Sequence, residues 1–284
     1  MSLTAAMFER SPIVGHLPSI EAELNYLAAT NERPRTYTYD PPPGVPRTTF
    51  VDEPHRVPIH DVRPLAHEVS LDAEGFALLD QRSAMRDFYD EDEIKRVYYR
   101  ESEALLRHAT GANRVLIFDH TVRRRVPGTR DRGSGPRQPA LRVHVDHTER
   151  SAPQRVRDLL PDEAADLLAG RVQIINLWRP IRWPVRDAPL AVVDARSVAP
   201  ADLIPADLVH RDRVGESYAV TFNPAHVWFY VPEMRPDEVL LFKCYESQVD
   251  GRTRFTPHSA FIDTTAPPDA PPRESIELRT LVFG

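Results

Sequence analysis

Val172-Gln173-Ile174-Ile175-Asn176-Leu177-Trp178 is the most strand-like run of the chain. It is short, rich in β-branched residues and apolar almost without a break, the pattern of a strand buried on both faces. Pro180, Pro184 and Pro189 follow, and a residue without an N–H cannot continue a ladder. Outward from this run the pattern recurs at 115–120, 190–194, 218–222, 226–231, 238–245 and 275–283, the last in clean period-two alternation. Asn223-Pro224 between 218–222 and 226–231 reads as a hairpin turn. One helical stretch, 153–169, interrupted at Pro161, lies among these segments. At least seven strands after residue 115 with one inserted helix predict a mainly β fold with flanking helices, a sandwich or barrel of jelly-roll type.

Before residue 115 the pattern is looser. Asp90-Glu91-Asp92-Glu93 opens a helix that ends near Gly111, with acids opposing the positive end of the helix dipole and glycine as the stop. A strand is expected at 75–79 and a short helix at 21–29. The 28 prolines cluster at 41–46 and 267–272, marking loops. Residues 1–70 are expected to form an N-terminal arm packing on a core domain of 71–284, covering a site or pairing two copies as a homodimer.

Composition narrows the function. The chain has 284 residues, 41% hydrophobic, enough to bury a real core. Its 36 basic residues are interspersed among 42 acidic ones for a net charge of −6, which offers no nucleic-acid surface. The single Cys244 forms no internal disulfide and no multi-cysteine zinc site. No basic segment followed by an apolar run opens the chain, and no stretch reaches the ~18–20 apolar residues of a membrane span. A cytoplasmic protein is the expectation.

The chemistry is concentrated in Arg142-Val143-His144-Val145-Asp146-His147-Thr148. On an extended strand His144 and Asp146 point to one side. With a third imidazole from elsewhere they make a two-histidine, one-carboxylate triad, which holds non-haem Fe(II) and leaves three positions open. An ordinary hydrogen-bonded His/Asp pair is the competing reading. His258 and His226 are the two candidates for the third ligand. Arg235, nine residues after His226, sits in a turn of prolines and acids, whereas Arg273 follows His258 at the opening of the last strand.

The order His144-x-Asp146, then His258, then Arg273-x-Ser275 resembles that of Fe(II)/2-oxoglutarate-dependent oxygenases. The runs 115–124 (VLIFDHTVRR), 173–180 (QIINLWRP), 189–198 (PLAVVDARSV), 237–247 (DEVLLFKCYES), 254–261 (RFTPHSAF) and 272–282 (PRESIELRTLV) are similar to the hydroxylase/desaturase family of secondary metabolism, over roughly residues 85–284. His147 departs from the Gln expected after H-x-D in many relatives.

The resemblance implies a double-stranded β-helix (cupin-like) core, Fe(II) on His144, Asp146 and His258, 2-oxoglutarate as cosubstrate and O2 as oxidant. It also implies a small natural product as substrate. Arg273 and Ser275 would hold the remote carboxylate of the cosubstrate, a bidentate partner with a hydroxyl beside it. A carboxylate at 146 argues against halogenation, which needs that position for chloride. Candidate pocket residues are His120 with the basic run Arg123-Arg124-Arg125, then Asn176, Trp178 and Arg179, and His226, Trp228 and Tyr230; each has core packing or a surface role as its competing reading. His16, His55, His60, His67, His108 and His210 are taken as non-functional. Two other functions remain in view: a non-catalytic partner subunit with the same fold, and a divalent-metal hydrolase.

Overall fold

The structure, a computed structural model, describes residues 14–129 and 135–284. Part of the Pro/Gly/Arg-rich stretch 126–139, which reads as a loop, therefore lies outside the described residues. Fourteen strands are present among the described residues: β1 (Ser19–Leu27), β2 (Arg35–Tyr37), β3 (Asp52–Asp61), β4 (Phe76–Asp80), β5 (Arg114–Arg124), β6 (His144–Val145), β7 (Val172–Pro180), β8 (Leu190–Val193), β9 (Leu203–Val209), β10 (Val214–Val220), β11 (Trp228–Tyr230), β12 (Glu238–Glu246), β13 (His258–Ala260) and β14 (Glu274–Phe283).

They form two sheets. The larger has the order β1-β3-β11-β8-β13-β6-β10-β9-β2, the smaller β4-β12-β7-β14-β5. From β5 onward the chain passes repeatedly from one sheet to the other, so that β11-β8-β13-β6 faces β12-β7-β14-β5. This is a jelly-roll, the double-stranded β-helix. All nine residues of β7 and all nine of β12 are buried, as expected for strands covered on both faces.

Two hydrophobic layers hold the sheets. Between them lie Ile174, Trp178, Val192, Phe229, Leu240 and Phe242, and each such side chain taken from water is worth about 1.5–3 kcal/mol. On the other face of the small sheet, Ile175, Leu177, Ile276 and Leu278 pack against Ile94, Tyr98 and Leu106. Those three come from the helical segment 91–110, which includes a π-turn at Ile94–Tyr98. Its first turn is capped by the Asp90 side chain, which accepts from the N–H groups of Asp92 and Glu93 at 2.9 and 3.0 Å. Gly111 ends it at φ +70°, a left-handed geometry that glycine adopts without strain.

Three expectations are corrected. The short helix expected at 21–29 is strand β1, fully paired with β3. The buried residues Ala22, Leu24 and Tyr26 alternate with exposed Glu21 and Glu23, and a long antiparallel partner outweighs weak helix propensity. The hairpin expected around Asn223-Pro224 does not form: β10 pairs with β6 and β9, and β11 with β3 and β8. Pro224, with φ held at about −65°, cannot take the positive φ a type I′ hairpin turn requires, and alternation alone does not name a partner. Finally, β5 extends through Arg124, so His120 lies inside a strand and Arg123 is not in a loop.

Candidate metal centre and its cavity

Strands β6 and β13 are neighbours, with His144 directly opposite His258. Their rings lie 4.4 Å apart between centroids. Asp146, one residue past the end of β6, places Oδ1 3.5 Å from His144 Nε2. Ligand atoms of His144, Asp146 and His258 all lie within 4.8 Å of one another. His226 is elsewhere: its Nε2 is 3.1 Å from Asp202 Oδ2 and its ring stacks on Tyr26.

Each donor is held from behind. His144 Nδ1 donates to the carbonyl of Arg142 at 2.8 Å, and His258 Nδ1 to that of Thr256 at 3.1 Å. A carbonyl only accepts, so the proton is on Nδ1 and the Nε2 lone pair points forward in both rings. Asp146 Oδ2 accepts from Asn176 Nδ2 and from Arg279 Nε, both at 2.8 Å, which leaves Oδ1 toward the histidines. Sheet register makes this possible, since Asn176 and Arg279 are cross-strand partners on β7 and β14.

The donor set fits a divalent metal. His258 Nε2 is buried and has no hydrogen-bond partner, a condition that costs about 1–3 kcal/mol for a polar atom left unpaired. Burial, aided by the neighbouring His144, lowers the His258 pKa to about 3, so the ring is neutral and able to ligate. Burial alone would raise the Asp146 carboxyl, but the guanidinium of Arg279 beside it holds it well below the usual range. Two neutral imidazoles and one carboxylate are the set that suits Fe(II).

A narrow cavity beside the cluster is lined by His144, His258, Arg123, Leu190, Arg273 and Glu277, among others. Arg273 is buried; its Nε donates to Ser275 Oγ at 3.0 Å, and its guanidinium stacks 4.8 Å above the ring of Trp178. Burial, reinforced by Arg123, lowers its pKa to about 9.

The structure thus brings together His144, Asp146, His258, Arg273, Ser275, Asn176 and Trp178. It places four pocket candidates with other surroundings, besides His226. His120 bonds Tyr99 at 2.8 Å on the helix side of the small sheet, because it pairs with outward-facing Leu278. Arg179 also faces the helices: it lies over the Tyr98 ring and donates to Gln81. Trp228 and Tyr230 pack with Tyr26 and Ile59 on the far face of the large sheet, while Phe229 between them points inward. A period of two identified the shared face in each case but not which face was inside. His147 is buried, with Nδ1 3.3 Å from Ser151 Oγ and its ring edge-on to Phe118.

Two residues of the site, Arg279 and Glu277, were not named from the sequence, whereas Arg123 was, within the basic run after His120. Arg279 and Glu277 sit on the polar face of β14, and Arg123 on the facing side of β5. The signal was present in the alternation of β14, whose polar face turns inward because the site lies between the sheets.

A family model described as an oxidoreductase/YMDC permease-like domain matches residues 24–283. The hydroxylase/desaturase efuI of Hormonema carpetanum is 35% identical, the match covering 94% of this chain and 95% of that protein. The Fe(II)/2-oxoglutarate-dependent dioxygenase nvfI of Aspergillus novofumigatus is 34% identical over 96% and 99% of the two chains. The chain belongs to this hydroxylase/desaturase family. A solved structure of the iron and alpha-ketoglutarate-dependent endoperoxidase NvfI superposes on this family member with a TM-score of 0.84, at 33% identity over 94% of this chain and 98% of that one. The jelly-roll described above is therefore the fold of the family. Among the described residues of this hydroxylase/desaturase relative, no helix is long and apolar enough to cross a membrane.

Proposed function

We propose that the protein is a non-haem Fe(II)/2-oxoglutarate-dependent oxygenase of natural-product biosynthesis, with iron on His144, Asp146 and His258. Its substrate is a small molecule that it hydroxylates, desaturates or oxidatively rearranges, while 2-oxoglutarate is converted to succinate and CO2. The observation that carries this reading is His258 Nε2, buried, unpaired and grouped with His144 and an Asp146 oxygen.

Iron with the bound keto acid supplies the activation of O2 and the removal of hydrogen from an unactivated C–H bond. The chain's own residues do the rest. Thr256 and Arg142 fix the tautomers of the two ligand histidines. Arg279 and Asn176 keep one carboxylate oxygen of Asp146 occupied, so the acid presents the other. Arg273 and Ser275 receive the remote carboxylate of the cosubstrate, with Trp178 beneath the guanidinium. The apolar lining between the sheets excludes water from the reacting atoms.

The test is anaerobic addition of Fe(II) and 2-oxoglutarate, for which a weak visible charge-transfer band is expected, followed by succinate release on admitting O2. Absence of both would reject the oxygenase reading and return the partner-subunit and hydrolase alternatives.

A further inference from the structure

The cavity holds two guanidiniums, and the reading above uses one. Arg123 stands directly opposite Ser275 in the β5–β14 ladder, and Ser275 is the residue whose hydroxyl accepts from Arg273. Arg123 and Arg273 line the same cavity as His144 and His258. The surrounding acids are engaged elsewhere: Asp187 pairs with Arg125 at 2.9 Å, and Asp146 and Glu277 pair with Arg279 at 2.8 and 2.6 Å. Among the described residues neither Arg123 nor Arg273 forms an ion pair of its own. Their side chains bond to neutral oxygens, Arg123 Nη1 to the carbonyl of Gln138 at 2.8 Å and Arg273 Nη1 to that of Ala188 at 3.0 Å.

Two like charges in poorly solvated space repel each other, and Glu277, shared with Arg279, offsets them only in part. The arrangement becomes favourable when an anion lies against both. A carboxylate has about four lone-pair sites on its two oxygens and accepts two guanidiniums and a hydroxyl together. We propose that Arg123 is a second cosubstrate-binding residue, gripping the remote carboxylate of 2-oxoglutarate together with Arg273 and Ser275. The cavity then selects keto acids that carry a second carboxylate. This rests on the oxygenase reading and adds a specificity residue to it.

The experiment measures equilibrium binding without O2, using Fe(II)-loaded protein titrated with 2-oxoglutarate or with 2-oxovalerate, which replaces the remote carboxylate by a methyl group. Arg123→Gln is expected to weaken 2-oxoglutarate about tenfold or more, as for a lost charge-assisted hydrogen bond, and to leave 2-oxovalerate within about twofold. Fe(II) affinity without keto acid should stay at the wild-type value. If Arg123→Gln does not fold, Arg123→Lys is titrated in the same way, with a smaller loss confined to 2-oxoglutarate. Unchanged 2-oxoglutarate affinity would overturn the proposal; equal weakening of both keto acids would also overturn it. Wild-type protein that binds neither keto acid would instead overturn the oxygenase reading.

Discussion

Arg279 Nε donates to Asp146 Oδ2 at 2.8 Å, while the other nitrogens of the same guanidinium hold Asp119 and Glu277. One partly buried cation therefore orients the carboxylate and offsets its charge. Arg279→Gln is expected to destabilise the protein by about 3–5 kcal/mol, because it leaves buried acids unpaired. Metal affinity should fall about 10–100-fold, as for loss of a group that orients a ligand. Asn176→Ala removes the other contact to the same oxygen without that charge penalty, so its affinity loss should exceed its stability loss. Anaerobic Mn(II) or Fe(II) titrations beside urea unfolding check both, and unchanged affinity in the pair would show that Asp146 needs neither partner.

Metal should stabilise the fold through His258. A ligand at 100 times its dissociation constant adds about 2.7 kcal/mol when it binds only the folded state. Fe(II) added without O2 should raise the melting temperature, and a chelator should reverse the rise. His258→Ala should abolish this metal-dependent increment, whatever it does to the metal-free protein. An increment of wild-type size in the variant would remove His258 from the ligand set.

Outside the site, His226 makes stability depend on pH. Burial lowers its pKa, only partly offset by the bond to Asp202. The unfolded chain therefore takes up the proton first, at about pH 6.5. The stability tied to neutral His226 is full above that value and declines as pH falls through it toward the depressed folded pKa. His226→Gln should flatten the loss between pH 7 and 5 in urea titrations, and a profile parallel to the wild type would show that folding does not shift the ring's pKa.

The sequence made some of this legible because it is local. Near-continuous apolarity marked β7 and β12, and spacing alone put His144 beside Asp146. Long-range assignments were not written in any one segment. The pairing of His258 with His144 is a register between strands more than a hundred residues apart, so residue pattern left His226 as a rival. Arg279 and Glu277 share one face of an alternating strand, and alternation gives two faces without saying which is covered. Arg123 was legible only as part of a basic run after His120, because the apolar run of β5 stops at Phe118 while its backbone pairing continues to Arg124.

A glycine outside the cavity should control it. Gly75 has φ +94°, and a Cβ there would run into Thr256 Oγ1 and lie 2.7 Å from Thr253 Cγ2. Its carbonyl accepts from Thr256 Oγ1 at 3.0 Å and from Lys243 N at 2.8 Å. Thr256 is also the residue whose carbonyl fixes the His258 ring, so a displaced Thr256 carries a metal-ligand candidate with it. Gly75→Ala is expected to cost about 1–3 kcal/mol from overpacking, in addition to the strain of a side chain at positive φ. Gly251 is the control, with φ +101° and open space around the site of its Cβ; Gly251→Ala should show the backbone strain alone. Metal titration of both variants separates the effects: weakened binding is expected for Gly75→Ala and wild-type binding for Gly251→Ala. Equal metal affinity in the two would mean that His258 keeps its position without Thr256.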